Sequence, residues 1–216
     1  MTYRRLLPLA CLGLLAACAT SNPPNYYTLV PGTQAPIAPV AAPANPTIIE
    51  LMPVTVPAPI DVPQMVMRTG QGEVVLLNDE RWAGPLADEI RSALAVRLVS
   101  RLGAPVVQDL RPDRRSRVLL VQVEVQRFDS VPGKQAVLDS VWRVRQMGGE
   151  DDEGASARAP AVGRPAAPVC RSYFATPAGG DMPALVQAHQ HNVAALGDAI
   201  AAAVQAVRAG RPACPG

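Results

Sequence analysis

The chain has 216 residues, of which 20 are basic, 18 acidic and 49% hydrophobic. Arg4 and Arg5 lie in the first 17 residues and no acid does, which leaves 18 charges of each sign in the remainder. That balance gives no electrostatic footprint for nucleic acid, and two hundred or so residues, less two Pro/Ala-rich stretches, suit one domain with a sizeable core.

Residues 1–17 read as a lipoprotein signal peptide. Arg4 and Arg5 form a basic start, Leu6 to Leu15 an apolar stretch broken by Pro8 and Gly13, and Leu15-Ala16-Ala17-Cys18 is lipobox-like. The apolar run is about half of the roughly 20 residues that a membrane-spanning helix needs. Cleavage before Cys18 leaves a lipidated N-terminal cysteine. Three acyl chains, at about 0.8 kcal/mol per buried methylene, would hold it permanently. The competing reading is an ordinary secretory leader cut near Ala19, with Cys18 discarded or left as a thiol. Residues 18–25 form a tether stiffened by Pro23 and Pro24, at most about 25 Å long. Residues 26–216 form one domain.

Within it, Tyr26 to Val30 predicts a first strand, and the Pro/Ala-rich stretch 31–46 a solvated loop. Thr47 to Val56 predicts a second strand, with Pro53 marking an edge or a bend. Gln64 to Arg68 and Glu73 to Leu77, joined by Thr69-Gly70-Gln71-Gly72, predict a hairpin. Leu86, Ile90, Leu94, Leu98 and Leu102 step by four along a helix over 85–102, with Asp88 and Glu89 near its positive end and Gly103 as its stop. Val118 to Phe128 alternates valine with polar residues, as a half-solvated antiparallel strand does. A turn over 129–134 returns the chain as Gln135 to Met147. After a second loop over 148–168, containing Glu150, Asp151, Asp152 and Glu153, come a strand over 169–176 and a helix capped by Asp181 and running to about Arg208. The order implies an α+β fold, a mainly antiparallel sheet with two helices packed on one face.

Cys11 leaves with the leader and Cys18 is taken by lipid, so Cys170 and Cys214 remain. An even pair in an exported chain reads as a disulfide, and a final helix running antiparallel to the strand at Cys170 brings the tail back to it. Two free thiols are the alternative.

No chemistry stands out. His189 and His191 are two apart and point to different helix faces, with no CxxC or HExxH beside them, so no metal site and no cofactor is expected. No Gly-x-Ser-x-Gly elbow or phosphate-cradling loop occurs, and no nucleophile can be paired with a base. No catalytic residue is predicted, which favours a binding or structural role.

The segment from Gly72 to Leu86, with Glu80-Arg81-Trp82-Ala83-Gly84-Pro85-Leu86 opening the helix, resembles the signature of the PqiC-like ABC-type transport auxiliary lipoproteins. Tyr26-Tyr27-Thr28-Leu29, Pro53-Val54-Thr55-Val56-Pro57, Arg127-Phe128-Asp129 and Ala194-Ala195-Leu196-Gly197-Asp198 fall in the family's order. Gly84 stands where the family often has Glu, and Gly197 where Ser is common. The resemblance implies a non-catalytic outer-membrane lipoprotein on the periplasmic side of a Gram-negative envelope. Its implied partners are an MCE-domain (PqiB-like) protein and inner-membrane transport components of a lipid-transport system, with the membrane reached through the lipid anchor. A docking subunit matched to a ring-shaped partner can itself be a homo-oligomer. The alternative function is a periplasmic lipid-binding chaperone carrying lipid in its own cavity. Arg81 and Trp82 are candidates for partner binding, against a structural role in which Trp82 staples the helix start and Arg81 answers Asp79 or Asp88.

Overall fold

In the computed structural model, which describes residues 23–32, 47–70, 72–109, 117–147 and 167–215, the sheet grows from one long hairpin. Strands β6 (Arg117–Val131) and β7 (Gln135–Met147) pair antiparallel along their whole length. Val121, Val123 and Val125 are buried, while Glu124 and Gln126 are exposed. The strand does not stop at Phe128, because a bulge between Val125 and Arg127 resets the alternation. Core-facing residues are odd-numbered before it and even-numbered after it, so Phe128 and Ser130 stay inside and Asp129 turns to the other face. The turn is therefore shorter than 129–134, with Gly133 taking a φ of 68°.

The first strand is also shorter than expected. β1 is Asn25–Tyr27, β2 is Thr47–Leu51, β3 is Gln64–Arg68 and β4 is Val74–Trp82. Along one edge of β6, β2 pairs parallel with Arg117 to Val121, Thr55 bridges Glu124, and Met67 of β3 reaches Ser130. Pro53 does not mark a sheet edge: β2 lies between β6 and a two-residue strand β5 (Val106–Val107) absent from the sequence reading. The proline sits beyond β2, where the flanking amides of Met52 and Thr55 carry the bonds to the carbonyls of Val121 and Val123. β4 pairs antiparallel with β3 and runs five residues past Leu77, because β1 pairs parallel with Glu80 to Trp82. β8 (Cys170–Pro177) pairs antiparallel with β7, Trp142 opposite Cys170. The long ladders are antiparallel, and the parallel pairs are short.

Helix α1 (Leu86–Leu102) starts from Pro85 at the N-cap, and Gly103 ends it in the left-handed conformation with φ 56°. Leu86, Ile90, Leu94 and Leu98 are at most 1% exposed. Arg91, on the same helix, is buried too. Its guanidinium donates to the carbonyls of Leu51 and Gln108, which ties α1 to β2 and to the chain beyond β5. Helix α2 (Met182–Arg208) is capped by Asp181, whose carboxylate accepts from the Ala184 amide at 2.7 Å. Leu196, Ile200 and Val204 of α2 share one core with the α1 leucines and with Val121, Val123, Leu138 and Trp142. Both helices cover one face of the sheet, and Glu124, Gln126, Arg143 and Arg145 leave the other to solvent.

The helices meet closely at Gly197, where an added Cβ would lie 2.7 Å from Arg97 Cγ. That approach lets Arg97 clamp Asp198 through Nε at 2.7 Å and Nη2 at 2.6 Å, with Arg101 adding a third contact at 2.9 Å. Cys170 and Cys214 are bonded, their Cα atoms 5.5 Å apart. Cys18, most of 31–46 and most of 148–168 lie outside the described residues.

Candidate functional site

The Arg81–Trp82 corner is built where β4 hands over to α1. The Trp82 amide donates to the Pro63 carbonyl at 3.0 Å and the Ala83 amide to the Tyr27 carbonyl at 2.7 Å, so β1 and the residue before β3 fix the strand end on both sides. Glu89, in the first turn of α1, accepts from Thr28 Oγ1 at 2.7 Å and from the Leu29 amide at 2.8 Å, while Gln190 of α2 donates to the Thr28 carbonyl at 2.9 Å. This explains the end of β1: Leu29 leaves the sheet to lie 1% exposed in the core, and its amide finds a carboxylate. It also gives Gly84 a rationale. A side chain there would begin 3.5 Å from Glu89 Oε1, so a second carboxylate at 84 would repel the one that grips Thr28 and Leu29.

Trp82 is 4% exposed and packs edge-on against Phe128 and His189, with ring centroids 5.9 Å and 6.2 Å away. Phe128 and His189 stack at 4.0 Å. Arg81 is half-buried, and it answers neither acid expected for it: Nε donates to the Asn78 carbonyl at 3.0 Å.

His189 Nε2 lies 2.9 Å from Ser130 Oγ, a nucleophile-and-base pairing that the sequence did not disclose, across 59 residues. The bulge at Gln126 puts Ser130 on the helix face, and no periodicity signals that in advance. The pair does not have the properties of a hydrolytic dyad. Ser130 is 2% and His189 0% exposed, so a substrate carbonyl has no approach. His189 Nδ1 has no partner to orient it. Burial pushes the imidazole down to about 3, against a smaller opposing pull from Asp129, which leaves a neutral ring and a poor base. The ring is a polar core residue.

On the opposite face, Asp129 is held by Arg68 and Arg127, and Asp139, 2% exposed, by the two-pronged Arg171 at 2.9 and 2.6 Å. The Arg171 hydrogen bonds hold the Asp139 carboxyl below its ordinary range. Among the described residues no three His, Cys, Asp or Glu side chains converge as metal ligands. No described helix is long and apolar enough to cross a membrane.

Residues 27–201 match the family model of the ABC-type transport auxiliary lipoprotein component. Among solved structures, the crystal structure of an uncharacterized protein is similar at a TM-score of 0.60 and 18% identity, covering 85% of this chain and 99% of its own. Protein XCC0632 from Xanthomonas campestris gives a TM-score of 0.53 at 16% identity, covering 82% and 92%. At these identities the likeness shows the fold alone. No curated protein matches the sequence.

Proposed function

The chain belongs to the family of ABC-type transport auxiliary lipoprotein components, and from that membership we propose that it is a non-catalytic docking subunit. In this reading an acylated Cys18 holds it at the periplasmic face of the outer membrane. There it seats the periplasm-spanning, MCE-domain component of an envelope lipid-transport system whose remaining parts lie in the inner membrane. The match over residues 27–201 carries the reading. Among the described residues, packing favours docking over lipid carriage: Leu94, Leu98, Leu138, Leu196 and Ile200, between sheet and helices, are all 0% exposed, and the cleft beside Ile60, Val66, Val74 and Phe128 has room for a water, not an acyl chain. Of the Arg81–Trp82 pair, Arg81 is the partner contact, and Trp82 supports it from the core.

Crosslinking in intact envelopes, followed by mass spectrometry, tests this. Recovery of an MCE-domain protein together with inner-membrane transport components is expected, reduced by Arg81→Ala at unchanged folding. Recovery of neither, with a stoichiometric lipid retained by the purified protein, would replace docking by the carrier function.

A further inference from the structure

We propose that the tip of the β3–β4 hairpin is a second membrane contact, placing Val74, Val75 and Leu76 in the headgroup region of the bilayer that holds Cys18. The inference rests on the lipid-anchor reading above.

These three consecutive residues are 48%, 38% and 47% exposed. Side chains alternate across a strand, so Val74 and Leu76 look out from one face and Val75 from the other. A protein docked on one face would leave the other wet. A strand added to the edge would leave the side chains of both uncovered. A bilayer interface that receives this corner of the sheet, where β4 has no strand outside it among the described residues, covers all three.

The chain enters β1 from the same side. β1 runs parallel to β4, Asn25 opposite Glu80, so the residues before Asn25 approach from the direction of Asp79 and of the tip. Pro23 and Pro24 lack the amides to prolong the ladder, and β1 covers only Glu80 to Trp82, so β4 from Val74 to Asp79 has no strand on its outer edge among the described residues. Cys18 precedes Asn25 by seven residues, a reach of about 24 Å, and Val74 precedes Glu80 by six, about 20 Å of strand. Seven residues of chain are therefore long enough to span the distance from Asn25 to the tip.

The turn sets the depth. Thr69 Oγ1 donates to Glu73 Oε2 at 2.7 Å across it, and the exposed Glu73 keeps the tip among headgroups and out of hydrocarbon. Lys134, exposed in the β6–β7 turn at this same end of the sheet, suits anionic headgroups.

The test uses the full-length lipoprotein in vesicles of phosphatidylethanolamine and phosphatidylglycerol, with Val75→Cys carrying an environment-sensitive fluorophore. Met147→Cys, exposed at the far end of β7, is the control. Brominated lipid should quench the label at 75 several-fold more than the label at 147, and adding Val74→Asp and Leu76→Asp should abolish the difference. Equal quenching at the two positions overturns the proposal. So does a label at 75 shielded from both brominated lipid and aqueous iodide, which would assign the tip to a protein partner or a second copy of the chain. The intact mass of the same preparation reports acylation of Cys18, so failure of the anchor reading and failure of the tip contact are read separately.

Discussion

His189 should make this protein acid-sensitive well above the range where carboxylates titrate. An unfolded imidazole takes up its proton near pH 6.5. The folded one, pushed down to about 3 by burial between Trp82, Phe128 and Ser130, stays neutral until far lower pH. Between those two values the unfolded state binds one more proton, so stability is full above about pH 6.5 and falls with pH below it, by about 1.4 kcal/mol per unit. At pH 5.0 the loss is about 2 kcal/mol. Asp139 and Asp198 do not enter this window: Arg171 and Arg97 depress their carboxyls, so the stability they add is lost only as pH falls below the ordinary carboxylate range. Asp129, which lies near enough to oppose the His189 shift, is already paired with Arg68 and Arg127. Urea unfolding of the mature protein at pH 7.5, 6.5, 5.5 and 5.0 should show the loss. His189→Phe keeps the stack on Phe128, costs roughly 1 kcal/mol for the stranded Ser130 hydroxyl at every pH, and should flatten the profile between 7.5 and 5.0. Parallel profiles for the two proteins, or an imidazole resonance that titrates near pH 6 in the folded state, would refute the reasoning.

Trp82→Ala should lose about 3–5 kcal/mol by opening a cavity against Phe128 and His189, read as a lower urea midpoint with unchanged slope. Cys170→Ala with Cys214→Ala should lose about 4 kcal/mol, because the bond spans a separation of 44 residues, and reductant should reproduce the loss in the parent protein. Gly197→Ala gains about 1 kcal/mol of helix propensity and forfeits roughly 1–3 by crowding Arg97, for a net loss. That loss should shrink in an Arg97→Ala background, where the 2.7 Å contact with Cγ is gone, and an unchanged cost would place the strain elsewhere.

Features set by one element's own periodicity were legible in the sequence. The four-residue leucine step of α1 and the valine alternation of β6 each mark a buried face, and Asp181 marks a helix start, because burial and capping depend on neighbours a few residues away. Features settled by distant pairing were not. Two residues at Val106 and Val107 carry no pattern, and they become a strand only because β2 presents a free edge to them. Arg91 reads as the polar side of an amphipathic helix, yet its guanidinium is buried because the carbonyls of Leu51 and Gln108 need donors there.

The candidate site divides along the same line. The strand-to-helix corner at Arg81 and Trp82 was visible as a motif, but its construction was not, because most of its fastenings join segments far apart in sequence: Glu89 to Leu29, Gln190 to Thr28, His189 to Ser130. A single bulged residue, Gln126, decides whether Ser130 meets a histidine or solvent, and shifting the alternation by one would have placed Asp129 in the aromatic core instead. An acid in that position would bring into the core a charge that only a protonated His189 could answer, at a desolvation cost of several kcal/mol, against a neutral hydroxyl that shares a hydrogen bond with the ring. The bulge is thus what allows one strand to carry Arg127 and Asp129 into the charged outer face while the same turn of chain closes the core beneath Trp82.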